Sequence, residues 1–431
     1  MLLIRNGYLL DPSAKEEGTA DILIDDSGLI AGIRRHASAE DAPLPEVPAS
    51  CTADAAGCIV IPGLVDTHSH FRDPGQTEKE DIVSGAAAAA AGGYTHVVMM
   101  ANTRPCIDST PVLQDVLARG RKTAIDVQSC ACLTKDMAGR ELTDMEQLAA
   151  AGASGFTDDG RPVMDAELLT RGLAKAAALR LPVSLHEEDP AFLHGSGVNA
   201  GSRAAKALSA GGADREAEIS LVRRDLAIAL RTGADLCIQH VSAAESVALI
   251  REARKRSPHI HAEATPHHFT LTEDAVLTKG ALAKVNPPLR TERDREAILE
   301  GLADGTLDII ATDHAPHTKQ QKALPFPEAP SGMIGLETAF SLGLRELVNK
   351  NILSLRQLVT LMTVNPAALY RLQAGKLQAG MPADLAVIDT GAHRTVSADF
   401  VSRSSNSPFI GESLPGIVRL TVFRGKIAYR A

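Results

Sequence analysis

Hydrophobic and polar positions follow two rhythms along this chain. From Met1 to about Ile61 the alternation is short, in LLIRNGYLL, ADILIDD and LIAGIRR, each broken by Gly, Asp or Pro. A period of two with such punctuation predicts antiparallel β-strands. The acidic, proline-bearing stretch 38–49 predicts a loop. The same rhythm returns between Gly375 and Ala431 in PADLAVID and VRLTVFRGKIAYR, with Arg424-Gly425 as the turn of the last hairpin. The simplest arrangement pairs both chain ends in one small β-domain.

The middle of the chain alternates differently. Eight short apolar runs recur: IPGLVDTH, THVVMMAN, AIDVQSCACLT, GASGFTDD, LPVSLHEE, DLCIQHVS, HIHAEATPHH and LDIIATDHAP. Helix-like stretches such as DIVSGAAAAAAGG and DAELLTRGLAKAAALR separate them. Strand-then-helix order calls for parallel strands, because parallel neighbours need a crossover connection. Eight such units predict an α/β protein with a (β/α)8 TIM-type barrel over 62–372. Residues 1–61 and 373–431 then form a β-sandwich-like domain. An open doubly wound sheet is the alternative, but its Gly-rich first turn is replaced here by LVDTHSHFRDPG.

Composition narrows the function classes. The 431 residues carry a formal charge of -9, which excludes a nucleic-acid or anionic-membrane footprint. No run reaches the ~18 apolar residues of a membrane span. Arg5 and Asn6 stand where a secretory signal would have its apolar core, so the expected compartment is the cytoplasm. The six cysteines form no Cys-x-x-Cys pair, and Cys130 and Cys132 read as small buried hydrophobes.

Candidate chemistry sits at the strand ends. His68 and His70 close the first run, Asn102 the second, Asp158 and Asp159 the fourth, His186 the fifth, His240 the sixth and Asp313 the eighth. Barrel enzymes build their sites at the C-terminal ends of strands, so these side chains would converge on one mouth. Singly, a strand-end His is an ordinary hydrogen-bonded residue and an Asp a helix cap. Their repetition at one level points to a metal site. Residues two apart on a strand face the same way, so His68 and His70 can share an ion. Imidazole and carboxylate donors suit zinc, with manganese, cobalt or iron as alternatives.

These residues lie in motifs that resemble the amidohydrolase superfamily and, within it, the class I dihydroorotases of bacteria. The motifs are PGLVDTHSHFRDPG, ANTRP, FTDDG, LHEED, QHVS, TPHH, NPPLR, ATDHAPH and SGMIGLET, spread over nearly the whole chain. The resemblance implies that His68, His70 and Asp313 hold one zinc and His186 and His240 a second. Asp159 then bridges the two ions where many relatives use a carboxylated lysine, and Asp158 shapes the loop or supports from behind. It further implies that Arg72, Asn102 and His317 receive a substrate carboxylate. Asn286 and the backbone of Ser331 and Gly332 would bind ring amides. Asp313 would shuttle the proton as N-carbamoyl-L-aspartate and L-dihydroorotate interconvert in pyrimidine biosynthesis. A homodimer and an assembly with aspartate transcarbamoylase are open under it.

Outside this set, His267 and His268 are expected at the end of strand seven, orienting ligands or simply packing. His96 and His194 are expected to be structural. Segment 317–330 is either a mobile active-site loop or an ordinary connection. A hydantoinase/dihydropyrimidinase or an allantoinase is the nearest rival, and a non-catalytic partner of the transcarbamoylase a remoter one. The first is disfavoured by FTDDG, which lacks the lysine, and the second by the intact donor set.

Overall fold

The computed structural model describes residues 1–37, 43–45, 47–195 and 197–431. Of the loop expected at 38–49, positions 38–42 and 46 lie outside the described residues. The N-terminal rhythm yields β1 to β5 (Leu2–Leu9, Gly18–Ile24, Ile30–Arg35, Thr52–Asp54 and Ile59–Pro62). The middle yields β6 to β8 (Leu64–Ser69, Tyr94–Met99 and Asp126–Ser129). It continues with β9 to β12 (Val183–Leu185, Leu236–Ile238, Ile260–Ala264 and Ile309–Ile310). The C-terminal rhythm yields β13 to β15 (Leu385–Thr395, Ser413–Phe423 and Lys426–Arg430).

Both chain ends share one sheet of order β15-β14-β13-β5-β1-β2-β3, with β4 beside β1. The joint is β13 against β5, antiparallel from Leu385↔Pro62 to Ile388↔Ile59. Ile4, Ile22, Ile24, Val60, Leu385 and Val422 pack into its own apolar cluster. The last hairpin turns at Arg424 and Gly425, both with positive φ (45° and 74°). That is the twist a two-residue hairpin turn requires.

The middle strands are parallel, in the orders β6-β7-β8 and β12-β11-β10-β9. Phe156 bridges in parallel to Ala131 on one side and Val183 on the other, while Ser69 bridges to His314. The two parallel sheets therefore meet at both margins. Asp66 secures the second joint, accepting from Thr312 N–H at 2.8 Å and Thr312 Oγ1–H at 2.7 Å. Between strands lie helices such as Ile82–Ala91 and Ala166–Leu179. Cys130, Cys237, Val98, Ile309 and Tyr370 fill one apolar cluster, and Cys132 is buried in another.

Two expectations need adjustment. The run GASGFTDD makes no extended strand; it joins its neighbours through the Phe156 bridges and through N–H donation from Ser154, Phe156 and Thr157 to Ser129 O, Pro182 O and Ala131 O. His267 and His268 lie in the short helix Pro266–Thr270, not at the end of a strand. Pro266 sets its first turn and Thr265 accepts from His268 N–H, which starts a helix where the sequence reads as continued strand.

Candidate active site

Local alternation delivers the first two histidines. His68 lies in β6 and His70 just beyond it, Asn102 follows β7, His186 follows β9, His240 follows β10 and Asp313 follows β12. His70, Asn102, Asp159, His186, His240 and Asp313 line one cavity of about 620 Å3, together with Arg72, Asn286, Ser331 and Gly332. Three of these residues, Arg72, His240 and Asp313, hold positive φ (58°, 32° and 47°). Such backbone is costly for side chains with a Cβ, and strain of this kind clusters at functional sites.

Two donor groups share Asp159: His68 and His70 on one side, His186 and His240 on the other. Asp159 Oδ2 lies 3.4 Å from His70 Nε2 and 3.8 Å from His68 Nε2. Its Oδ1 lies 3.5 Å from His186 Nδ1. Asp313 Oδ1 is 3.1 Å from His70 Nε2 and 3.6 Å from His68 Nε2. Each carboxylate is buried, which by itself would raise its pKa. The imidazoles outweigh burial and hold both well below the usual carboxylate range.

Acceptors behind the rings decide where the lone pairs point. Glu263 takes the Nδ1–H of His68 at 2.9 Å, Asn102 Oδ1 that of His70 at 3.0 Å, and Glu188 the Nε2–H of His186 at 3.0 Å. The opposite nitrogens face Asp159, where they donate to it while protonated and offer lone pairs to a cation once that proton is displaced, the arrangement typical of metal-binding histidines. His68 Nε2 is buried without a hydrogen-bond partner. His186 Nδ1 and His240 Nε2 approach to 2.9 Å, a contact that needs either a shared proton or a shared cation. The donor set therefore fits two cations bridged by a carboxylate.

Around this centre, Arg72 donates through Nε to Pro316 O at 3.3 Å, and burial pushes its guanidinium down to about 10 against the pull of Asp313 and Asp159. Asn102 also donates to Asp159 Oδ2 at 3.1 Å, so both ends of its amide already serve the centre. His317 donates from Nε2 to Ser331 O at 2.8 Å. Burial, then the charges of Arg72, Lys79 and Lys322, push its pKa down to about 2, so the ring is neutral. Gly332 N–H donates to Lys284 O at 2.8 Å, and Ser331 Oγ donates to Asn286 Oδ1 at 3.0 Å. Asp158 faces away from the centre and accepts from Leu133 and Thr134 N–H at 2.8 and 3.0 Å, which fixes that loop. Glu263, Glu188 and Asp66 are the contributors that the sequence reading misses.

The sequence profile of the amidohydrolase family matches residues 59–428. The chain is similar to curated dihydroorotases from Clostridium acetobutylicum (47% identical, covering 100% of this chain and 99% of that one) and Clostridioides difficile (46%, covering 100% of both). Among solved structures it resembles an L-hydantoinase (dihydropyrimidinase) from Arthrobacter aurescens, with a TM-score of 0.86 and 27% identity over 99% of this chain and 95% of that one. It also resembles a dihydropyrimidinase from Brevibacillus agri, with a TM-score of 0.82 and 25% identity over 100% and 95%. Among the described residues, no helix is long and apolar enough to cross a membrane.

Proposed function

The chain belongs to the amidohydrolase family, as one of its dihydroorotases, and from that premise we propose how its side chains carry the reaction. The observation that supports the assignment of roles is Asp159, whose two oxygens face two separate histidine groups. We assign His68, His70 and Asp313 to one metal ion, His186 and His240 to a second, and Asp159 to both. Zinc suits these donors best. Two zinc ions there would supply Lewis acidity for the ring carbonyl and a water acidic enough, with pKa ~7, to attack at neutral pH.

The protein's own part is positioning and proton transfer. Arg72 offers a cationic fork for the carboxylate that L-dihydroorotate carries on its ring. Asn286 and the Ser331–Gly332 segment border the space for the ring amides. Because Asn102 is committed to His70 and Asp159, its effect on the carboxylate runs partly through the metal centre. Neutral His317 orders Ser331 behind that space. Asp313, ionised and beside His70, takes a proton from the attacking water and passes it to the leaving ring nitrogen. In the opposite direction it receives the proton lost by the ureido nitrogen as N-carbamoyl-L-aspartate closes.

The joints at Phe156 and at Ser69–His314 support reading the parallel strands as a closed (β/α)8 barrel over 62–372, with 1–61 and 373–431 as the β-domain. The same reading takes the enzyme to be cytoplasmic, paired with a second copy or with aspartate transcarbamoylase. Size-exclusion chromatography with and without that partner tests it. For the reaction itself, metal-replete protein is assayed with L-dihydroorotate, N-carbamoyl-L-aspartate, hydantoin, dihydrouracil and allantoin. Turnover of the first two alone is expected. Hydantoin hydrolysis without dihydroorotate turnover overturns the assignment.

A further inference from the structure

Two arginines outside the predicted set, Arg140 and Arg161, line the main cavity with Arg72. A second cavity of about 440 Å3 adjoins it, sharing Arg72, Asn102 and Arg161 and adding Arg104. Arg104, Arg140 and Arg161 are exposed. Among the described residues, none of the three has a carboxylate within ion-pair distance. Asp136 is the exposed acidic residue on the second cavity's wall, and Asp159 the buried one. Lys79 adds to the positive side: burial, then the charge of Arg72 with that of Arg104, push its ammonium down to about 8.

This concentration of unpaired cations stands out on a chain of formal charge -9. A molecule of that net charge repels anions at long range, so anionic substrates need a local field of opposite sign to reach the mouth quickly. The open-chain substrate carries two carboxylates and Arg72 can receive one. We propose that Arg104, Arg140 and Arg161 form a docking subsite for the open-chain dicarboxylate. It captures the dianion at the mouth and hands one carboxylate on to Arg72. The proposal rests on the dihydroorotase reading.

In a reversible reaction one substitution must change kcat/KM by the same factor in both directions, so the informative variable is ionic strength. Metal-loaded, full-length wild type, the Arg140→Gln/Arg161→Gln double variant and Arg256→Gln, an exposed arginine outside both cavities, are assayed with N-carbamoyl-L-aspartate. Ionic strength runs from about 0.01 to about 0.15 M, over which the Debye length falls from about 30 Å to about 8 Å. The double variant is expected to lose about tenfold in kcat/KM at low salt, mainly through KM, and to converge on wild type as salt rises. Arg256→Gln should follow wild type. Calorimetric titration with succinate, a non-reacting dicarboxylate, gives the same comparison without turnover and should show about tenfold weaker binding at low salt. Equal salt slopes and equal succinate affinities in wild type and double variant overturn the subsite and leave the enzyme assignment standing. Absent wild-type turnover defeats the assignment, and the subsite with it.

Discussion

His68 owes its orientation to Glu263, a buried carboxylate near the C-terminal end of β11 that holds one ring nitrogen and leaves the other facing Asp159. Glu263→Gln keeps the shape and weakens that hold. Loss of such a partner costs about 10- to 100-fold in metal affinity. A competition titration with a chromogenic chelator should show that loss, and unchanged affinity would remove Glu263 from the metal site. Asp313→Asn is a different case, since the amide can still coordinate but cannot serve as base. It should retain much of the metal by elemental analysis and lose several orders of magnitude in turnover; near-wild-type activity would rule out the shuttle role. The histidines themselves were legible because alternation and strand-end position apply to every residue alike. Glu263 was not, since HIHAEATPHH draws attention to its four histidines. The available signal was energetic: a carboxylate in an apolar strand needs a partner, and something must supply it.

At the scale of elements, the segment after β12 is tied down by cations rather than left loose. Lys322 Nζ donates to Pro330 O and Gly332 O, both at 2.9 Å. Lys284 Nζ donates to Phe326 O and Ala329 O, both at 2.7 Å. These contacts hold the backbone that carries Ser331 and Gly332. Burial, then the charge of Lys284, push Lys322 down to about 7 from its ordinary 10.5. Between those values the unfolded chain binds more protons than the folded one, so this group makes folding more favourable as pH rises from about 7 to about 10. Lys322→Met removes the dependence. Thermal melts should find the variant gaining on wild type at pH 6 and keeping less of that advantage at pH 9, while its kcat/KM for L-dihydroorotate falls. Parallel melting curves at both pH values would show that Lys322 keeps an ordinary pKa. In the sequence, HTKQQKALPFPEAP reads as a polar connection. The helix Lys319–Lys322 is too short for its burial to show as periodicity.

At the scale of the molecule, repeated strand-then-helix order was enough to expect parallel strands, and the matching rhythm at both ends was enough to expect a shared sheet. What periodicity could not supply were the joints. The GASGFTDD run meets its neighbours through the backbone of Ser154 to Thr157, a stretch of four residues too short for a period of two to stand out. The donor set draws on strands from Leu64 to Ile310, so bound metal should stabilise the whole fold rather than a single loop. An ion held at 1,000 times its dissociation constant contributes about 4 kcal/mol. Chelation should therefore lower Tm by a few degrees, reversibly on adding zinc, and an unmoved Tm would mean that the donors are fully formed without it.

The joint between β5 and β13 also sets a timetable for synthesis. β5 leaves the ribosome roughly 320 residues before the strand that covers it. At about 5–20 residues per second that is a wait on the order of tens of seconds. During it, β1, β2, β3 and β5 expose an unpaired edge, while most of the parallel strands can already assemble. A nascent chain arrested before Leu385 should therefore be the form that chaperones hold and that aggregates most readily, and release of the last 50 or so residues should be what ends that exposure.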